Sequence, residues 1–162
     1  MKGKTAVDEN KCLDTAVTRL LSVRDAYPDK VRLNLLLSSI YSRKGDAESA
    51  LSSARAAWQQ NPDDLRARSL YGTLLFDAGQ YAETIKVLAF PQYRLAFPAA
   101  TLQLWHDAML KEFKADFAAA RYLPALEKVK HYLIYFPEDE EGQEYFRKIE
   151  EARRQEKQQG GK

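Results

Sequence analysis

An all-α fold, an α-solenoid of antiparallel helix hairpins, is predicted by three observations in this 162-residue sequence. An apolar stripe with helical spacing recurs three times at an interval of 34 residues. Glycine and proline punctuation recurs at the same interval, and the segment between two such marks is rich in small residues that let helices approach closely. A fixed period of this length is the sequence signature of a repeat architecture.

The stripe is seen first in Leu33, Leu36, Leu37, Ile40 and Tyr41, which occupy positions i, i+3, i+4, i+7 and i+8 of one helix face. One period on stand Ala67, Leu70, Tyr71, Leu74 and Leu75, and a further period on stand Thr101, Leu104, Trp105, Ala108 and Met109. Gly45 and Gly79 follow the first two of these helices, where a residue without Cβ closes a helix in the left-handed conformation. Pro28 and Pro62 share the spacing and fall where a second helix should stop. Between Gly45 and Pro62 lies the helical run Ala47, Ala50, Leu51, Ala54, Ala57, Trp58. Each unit therefore reads as helix, tight turn, helix, turn, with Tyr71 and Leu74 expected to be buried and Gly79 expected to have φ > 0.

This pattern resembles the tetratricopeptide repeat. Counted from Val31, the family's landmarks fall on Leu37, Ser38, Tyr41, Ala50, Ala54, Ala57 and Pro62, then on Tyr71, Gly72, Leu75, Thr84, Leu88 and Pro91. The family's tryptophan position holds Asn34 and Arg68, its phenylalanine position holds Ala54 and Leu88, and Pro91 stands where a small residue is usual. These departures predict a short second helix near Tyr81 to Ala89 and an irregular segment from Phe90 to Phe97.

The ends depart further. Leu13, Ala16, Val17, Leu20, Leu21 and Val23 describe a lone second helix, so residues 11–28 are a half repeat, behind a flexible segment 1–10. That opening suggests either an excerpt from a longer solenoid or a natural N-terminal cap, and the apolar face of this helix favours the excerpt. Repeats follow at 31–64 and 65–98. An atypical repeat at 99–137 has Phe113 where the turn glycine belongs, which carries its first helix to about Phe117, and Pro124 suits the first turn of its second helix. A capping helix is expected over 138–158, with Tyr145, Phe146 and Ile149 facing inward and the run Glu138, Asp139, Glu140, Glu141 at its positive end. Residues 159–162 read as a flexible tail.

Twenty-five basic against 23 acidic residues exclude the strongly basic field of a nonspecific nucleic-acid binder. The single cysteine, Cys12, leaves no disulfide framework and no zinc knuckle. No apolar run could cross a bilayer, so a soluble protein without membrane insertion is expected; the compartment stays open, with the cytoplasm slightly favoured over the periplasm. Phosphate-loop, dinucleotide, HExxH and GxSxG motifs are absent, so no catalytic residue, cofactor or metal is assigned. His106 and His131 have no cysteine, histidine or aspartate at ligand spacing and read as packing or surface residues.

The resemblance implies a noncatalytic scaffold or assembly factor that holds a protein or peptide in a concave groove lined by the first helices. Its candidate lining is Arg32, Leu35, Ser39 and Arg43 in the first unit, Arg66, Ser69, Thr73 and Phe76 in the second, and Gln103 in the third. Leu35, Ser39, Leu70, Ala100 and Leu104 replace the lysines and asparagines of the subfamily that grips C-terminal carboxylates, which argues against that clamp. Arg32 and Arg66, one period apart, with Arg43 beyond, form an expected positive strip suited to an acidic segment. An RNA-binding helical repeat and a docking domain of a larger enzyme are the alternative readings, and self-association stays open.

Overall fold

The computed structural model describes residues 2–160 except Asp25, Pro28 and Arg94. Its described residues are helical with no strand, and they divide into two compact units, Met1–Ala78 and Gly79–Lys162. The proline mark at Pro28 and the tail residues Gly161 and Lys162 lie outside the described residues.

In the first unit α1 spans Lys2–Ser22, α2 Lys30–Lys44, α3 Ala47–Gln60 and α4 Leu65–Asp77. Helix α1 thus runs back through the segment for which the sequence suggested flexibility. Residues 2–10 carry no apolar stripe, but extending a formed helix by one residue is cheap where nucleating one is not. Asp29, Asp46 and Asp64 cap α2, α3 and α4, their carboxylates accepting from Arg32, Ser49 and Ala67 backbone N–H groups at 2.9, 3.0 and 3.1 Å. Gly45 closes α2 at φ +76°, so the α2–α3 turn is tight and the two helices pack along their length.

Small residues set that packing. Ala50, Ala54 and Ala57 are fully buried, and the buried Ser38 hydroxyl donates to the Ala50 carbonyl at 2.9 Å, tying α2 to α3 through a group that would otherwise be orphaned. Val17, Leu33 and Leu37 form a core with Leu20, Tyr27, Ile40 and Tyr41 against it. Tyr71 joins α4 to α3, its ring 5.5 Å from that of Trp58 in a tilted contact and its hydroxyl accepting from Arg55 Nε at 2.8 Å.

Four apolar-face positions differ from expectation. Leu75, not Leu74, is the fully buried leucine of α4; Leu74 is half-buried and lines a shallow pocket of about 260 Å³ with Ser42, Gly45, Ala47 and Leu51. A 34-residue template fixes which face turns inward but not which of two adjacent leucines sits at its centre. Leu36, on the stripe of α2, and Leu21 and Val23, read as apolar-face residues of the first helix, are exposed.

In the second unit α5 spans Tyr81–Leu88, α6 Phe90–Tyr93, α7 Ala99–Ala118, α8 Tyr122–Tyr135 and α9 Glu140–Gly160. Helix α7 packs on α5 and α8, and α8 packs on α9. The short second helix is present as α5, and it stops because Ala89 turns into the left-handed region at φ 45°. Part of the segment expected to be irregular is the one-turn helix α6. Its Phe90 ring stacks on Trp105 at 4.5 Å, so an aromatic contact orders a stretch whose sequence shows no period.

Helix α7 ends at Ala118, near the expected Phe117, and Ala120 takes the left-handed closing position at φ 56° that glycine holds elsewhere. The acidic run performs the expected capping, with Asp139 accepting from Gly142 N–H at 2.6 Å and Glu140 and Glu141 in the first turn of α9. Gly142 has a second reason to be glycine: a Cβ there would lie 2.6 Å from Cε1 of the buried Tyr132 ring.

Gly79 has φ +73° and open space where a Cβ would stand, so any penalty for a side chain there is conformational rather than steric. Gly79→Val is expected to cost about 1–2 kcal/mol in urea unfolding. A variant as stable as the parent would contradict the left-handed turn.

Candidate functional site

In the first unit α4 packs beside α2 as well as on α3, so the opening helices of consecutive repeats are neighbours. Arg32 and Arg66 both sit on the first turn of their helices and both are exposed. Leu35, Ser69, Thr73 and Phe76 are half-buried, and Ser39 and Arg43 are exposed. Residues one period apart, Arg32 with Arg66, Leu35 with Ser69 and Ser39 with Thr73, thus occupy matching places on neighbouring helices.

The hydroxyls match in chemistry too. Ser39 donates to the Leu35 carbonyl at 3.0 Å and Thr73 to the Ser69 carbonyl at 2.9 Å. With the proton held by the helix, each oxygen keeps acceptor lone pairs for an outside donor.

The arginines differ from one another. Arg66 forks onto Asp64, with Nη2 2.8 Å from Oδ2 and Nε 3.3 Å from Oδ1. The hydrogen bond from Arg66 holds the Asp64 carboxyl below its usual range against an opposing effect of burial, and Asp64 in turn raises the Arg66 pKa. Arg43 Nη2 lies 2.8 Å from Glu9 Oε1 on α1. Arg32 has no carboxylate partner among the described residues. The strip of three positive side chains expected from the sequence therefore holds one guanidinium without an acid and two already engaged. No spacing rule could have shown this, because Glu9 lies on another helix and the Asp64 pairing depends on side-chain direction.

Gln103 is on α7 in the second unit. Its amide nitrogen approaches Asp107 Oδ1 at 2.9 Å and His106 Nδ1 at 3.2 Å. His106 is in turn 3.0 Å from Asp107 Oδ1 and, through Nε2, 3.6 Å from Asp139 Oδ1. His106, read from the sequence as having no aspartate at ligand spacing, thus has two beside it: Asp107, next in the chain, and Asp139, which the fold returns from the α8–α9 turn to α7. The ring also meets Tyr132 at 5.4 Å and Phe136 at 5.0 Å edge-on, so it packs as well as pairs. Burial, assisted by Asp139, pushes the Tyr132 hydroxyl pKa up. Among the described residues no three His, Cys, Asp or Glu side chains converge as a metal site requires, and no helix is long and apolar enough to cross a membrane.

Residues 41–89, which cover α3, α4 and α5, match the family model described as tetratricopeptide repeat. That stretch is similar to tetratricopeptide repeats, in agreement with the periodicity of the sequence. Repeats of this family generally mediate protein–protein interaction. No curated protein matches the chain. Among solved structures the crystal structure of MamA is similar at 18% identity and a TM-score of 0.46, over 97% of this chain and 95% of that one.

Proposed function

We propose that the chain is a noncatalytic interaction module that holds a segment of another protein on the α2–α4 face of its first unit. The observation that carries the reading is the register match of the two helices, with Arg32 exposed and without a carboxylate among the described residues. The segment offers an acidic side chain to the Arg32 fork and an apolar one to the half-buried Leu35 and Phe76. Its backbone N–H groups meet the acceptor oxygens of Ser39 and Thr73. Gln103, in the other unit, is a separate contact point that offers its amide oxygen. An RNA-tracking surface is disfavoured, since such surfaces need a row of available cations and Arg43 and Arg66 are engaged with acids.

A displayed peptide library panned on the full chain should enrich acidic sequences that carry a large apolar residue. Arg32→Glu should then weaken the enriched peptides by about tenfold, or 1.4 kcal/mol, with helicity unchanged. Arg66→Gln should do much less, because its charge is already compensated. Enrichment of unrelated sequences, or equal loss from the two variants, would show that Arg32 is not the anchor.

A further inference from the structure

Helix α8 buries one face through Ala125, Leu126, Val129 and Tyr132 and turns a different stripe outward. At about 100° per residue, Leu123, Glu127, Lys130 and Ile134 fall within roughly 60° of one another on that outer side. Leu123 is 51% and Ile134 70% exposed, which places two of the six large exposed hydrophobics of the described residues on one short stripe. Isolated exposed apolar residues need no explanation, but two on one helix face with an acid and a base between them do. Glu127 has no ion-pair partner among the described residues. Lys130 has none either, its ammonium lying 5.9 Å from the centre of the Phe146 ring.

The order along the stripe is apolar, acid, base, apolar, with steps of four, three and four residues. It is symmetric about the midpoint between Lys128 and Val129. A twofold axis through that midpoint, perpendicular to the helix, sets Leu123 against Ile134 of the partner subunit and Glu127 against the partner's Lys130. The same contacts recur on the other side of the axis, as an isologous interface requires. Parallel pairing would instead place Glu127 on Glu127 and Lys130 on Lys130, which like-charge repulsion disfavours. Steps of three and four are also those by which two helices interdigitate at a shallow crossing angle.

We infer that the outer face of α8 is a self-association surface whose partner is a second copy of this chain, paired antiparallel through α8. A helix of 14 residues is about 21 Å long, so the contact is smaller than the roughly 1,200–2,000 Å² of standard stable interfaces. The dimer is accordingly weak and dependent on concentration. It uses a different helix from the peptide-binding reading above and does not rest on it.

The test is sedimentation velocity of the full chain from about 10 µM to about 1 mM, with reductant present because Cys12 is exposed. The parent should move from monomer to dimer across this range. Ile134→Glu should weaken the dimer at least about tenfold. Glu127→Lys and Lys130→Glu should each weaken it, because each sets like charges across the axis. The double variant Glu127→Lys, Lys130→Glu restores opposite charges and should recover the dimer, and an equimolar mixture of the two single variants should form mixed dimers. All four positions face solvent, and circular dichroism verifies that each variant is folded. A parent that stays monomeric throughout, a dimer indifferent to Ile134→Glu, or a charge swap that fails to rescue would each overturn the assignment.

Discussion

Trp105→Ala is expected to remove about 3–5 kcal/mol from the second unit, the range for truncating a large buried aromatic side chain. Trp105 is 1% exposed, and its ring stacks on Phe90 at 4.5 Å and meets Tyr135 edge-on at 5.9 Å and Phe136 at 6.1 Å. One side chain therefore gathers α6, α7, α8 and the turn after α8, and its loss leaves a cavity these elements cannot all close. Hydrogen exchange should show protection falling first in α5 to α8, because damage to a repeat structure is greatest in the elements that touch it. Trp58, in the first unit, becomes the remaining tryptophan, so its fluorescence reports that unit by itself. Trp105→Phe should cost less than its lost area implies. The indole Nε1 is buried without a hydrogen-bond partner, and removing it relieves a desolvated donor. A Trp105→Ala variant within about 1 kcal/mol of the parent would show that the aromatic cluster is not the core of this unit.

The legible parts of the fold were those repeated in register. Leu33, Leu37, Tyr71, Leu75, Trp105, Ala108 and Met109 are all buried on the 34-residue template, and Gly45 and Gly79 both take positive φ. What the template hid were contacts between residues that obey no common period. Phe90 lies in a stretch without helical spacing, yet it completes the packing around Trp105 because the left-handed turn at Ala89 redirects the chain. Ala120 closes α7 without a glycine, a conformation with no composition signal. At the candidate site the sequence placed Arg32 and Arg66 one period apart, and both lie on the first turn of their helices. Their difference comes from Asp64, a cap whose second role depends on side-chain direction. Sequence spacing reports which residues share a face; it does not report which charges are already spent.

Asp116→Asn is expected to destabilise the second unit by about 2 kcal/mol at neutral pH. The carboxylate side chain is 7% exposed; its Oδ1 accepts from Arg121 Nε at 2.9 Å and Nη2 at 2.7 Å, while Lys128 Nζ lies 2.7 Å from Oδ2. Lys128 also reaches Glu112 Oε2 at 2.7 Å, so the cluster binds the end of α7 to the start of α8. Removing one member of a fully buried pair costs about 3–5 kcal/mol, but Arg121 is 56% and Lys128 34% exposed, and both can rehydrate, which lowers the figure. Burial alone would raise the Asp116 pKa. The hydrogen bonds from Lys128 and Arg121 outweigh it and hold the group below its ordinary value of 3.8. A carboxylate depressed in the folded state contributes stability that is present above its unfolded pKa and is lost as pH falls through the folded one. Lys128 shifts upward, burial being outweighed by Asp116 and Glu112, so its share is present below 10.5 and does not fade near neutrality. The stability gap between parent and Asp116→Asn should therefore be level at neutral pH and close as the solution is taken below about pH 4. Urea unfolding of both proteins at neutral pH and near pH 3 measures it, and the difference between them cancels the other titrating carboxylates. A gap that persists or widens in acid would mean that Asp116 stabilises the α7–α8 turn through its shape and not through its charge.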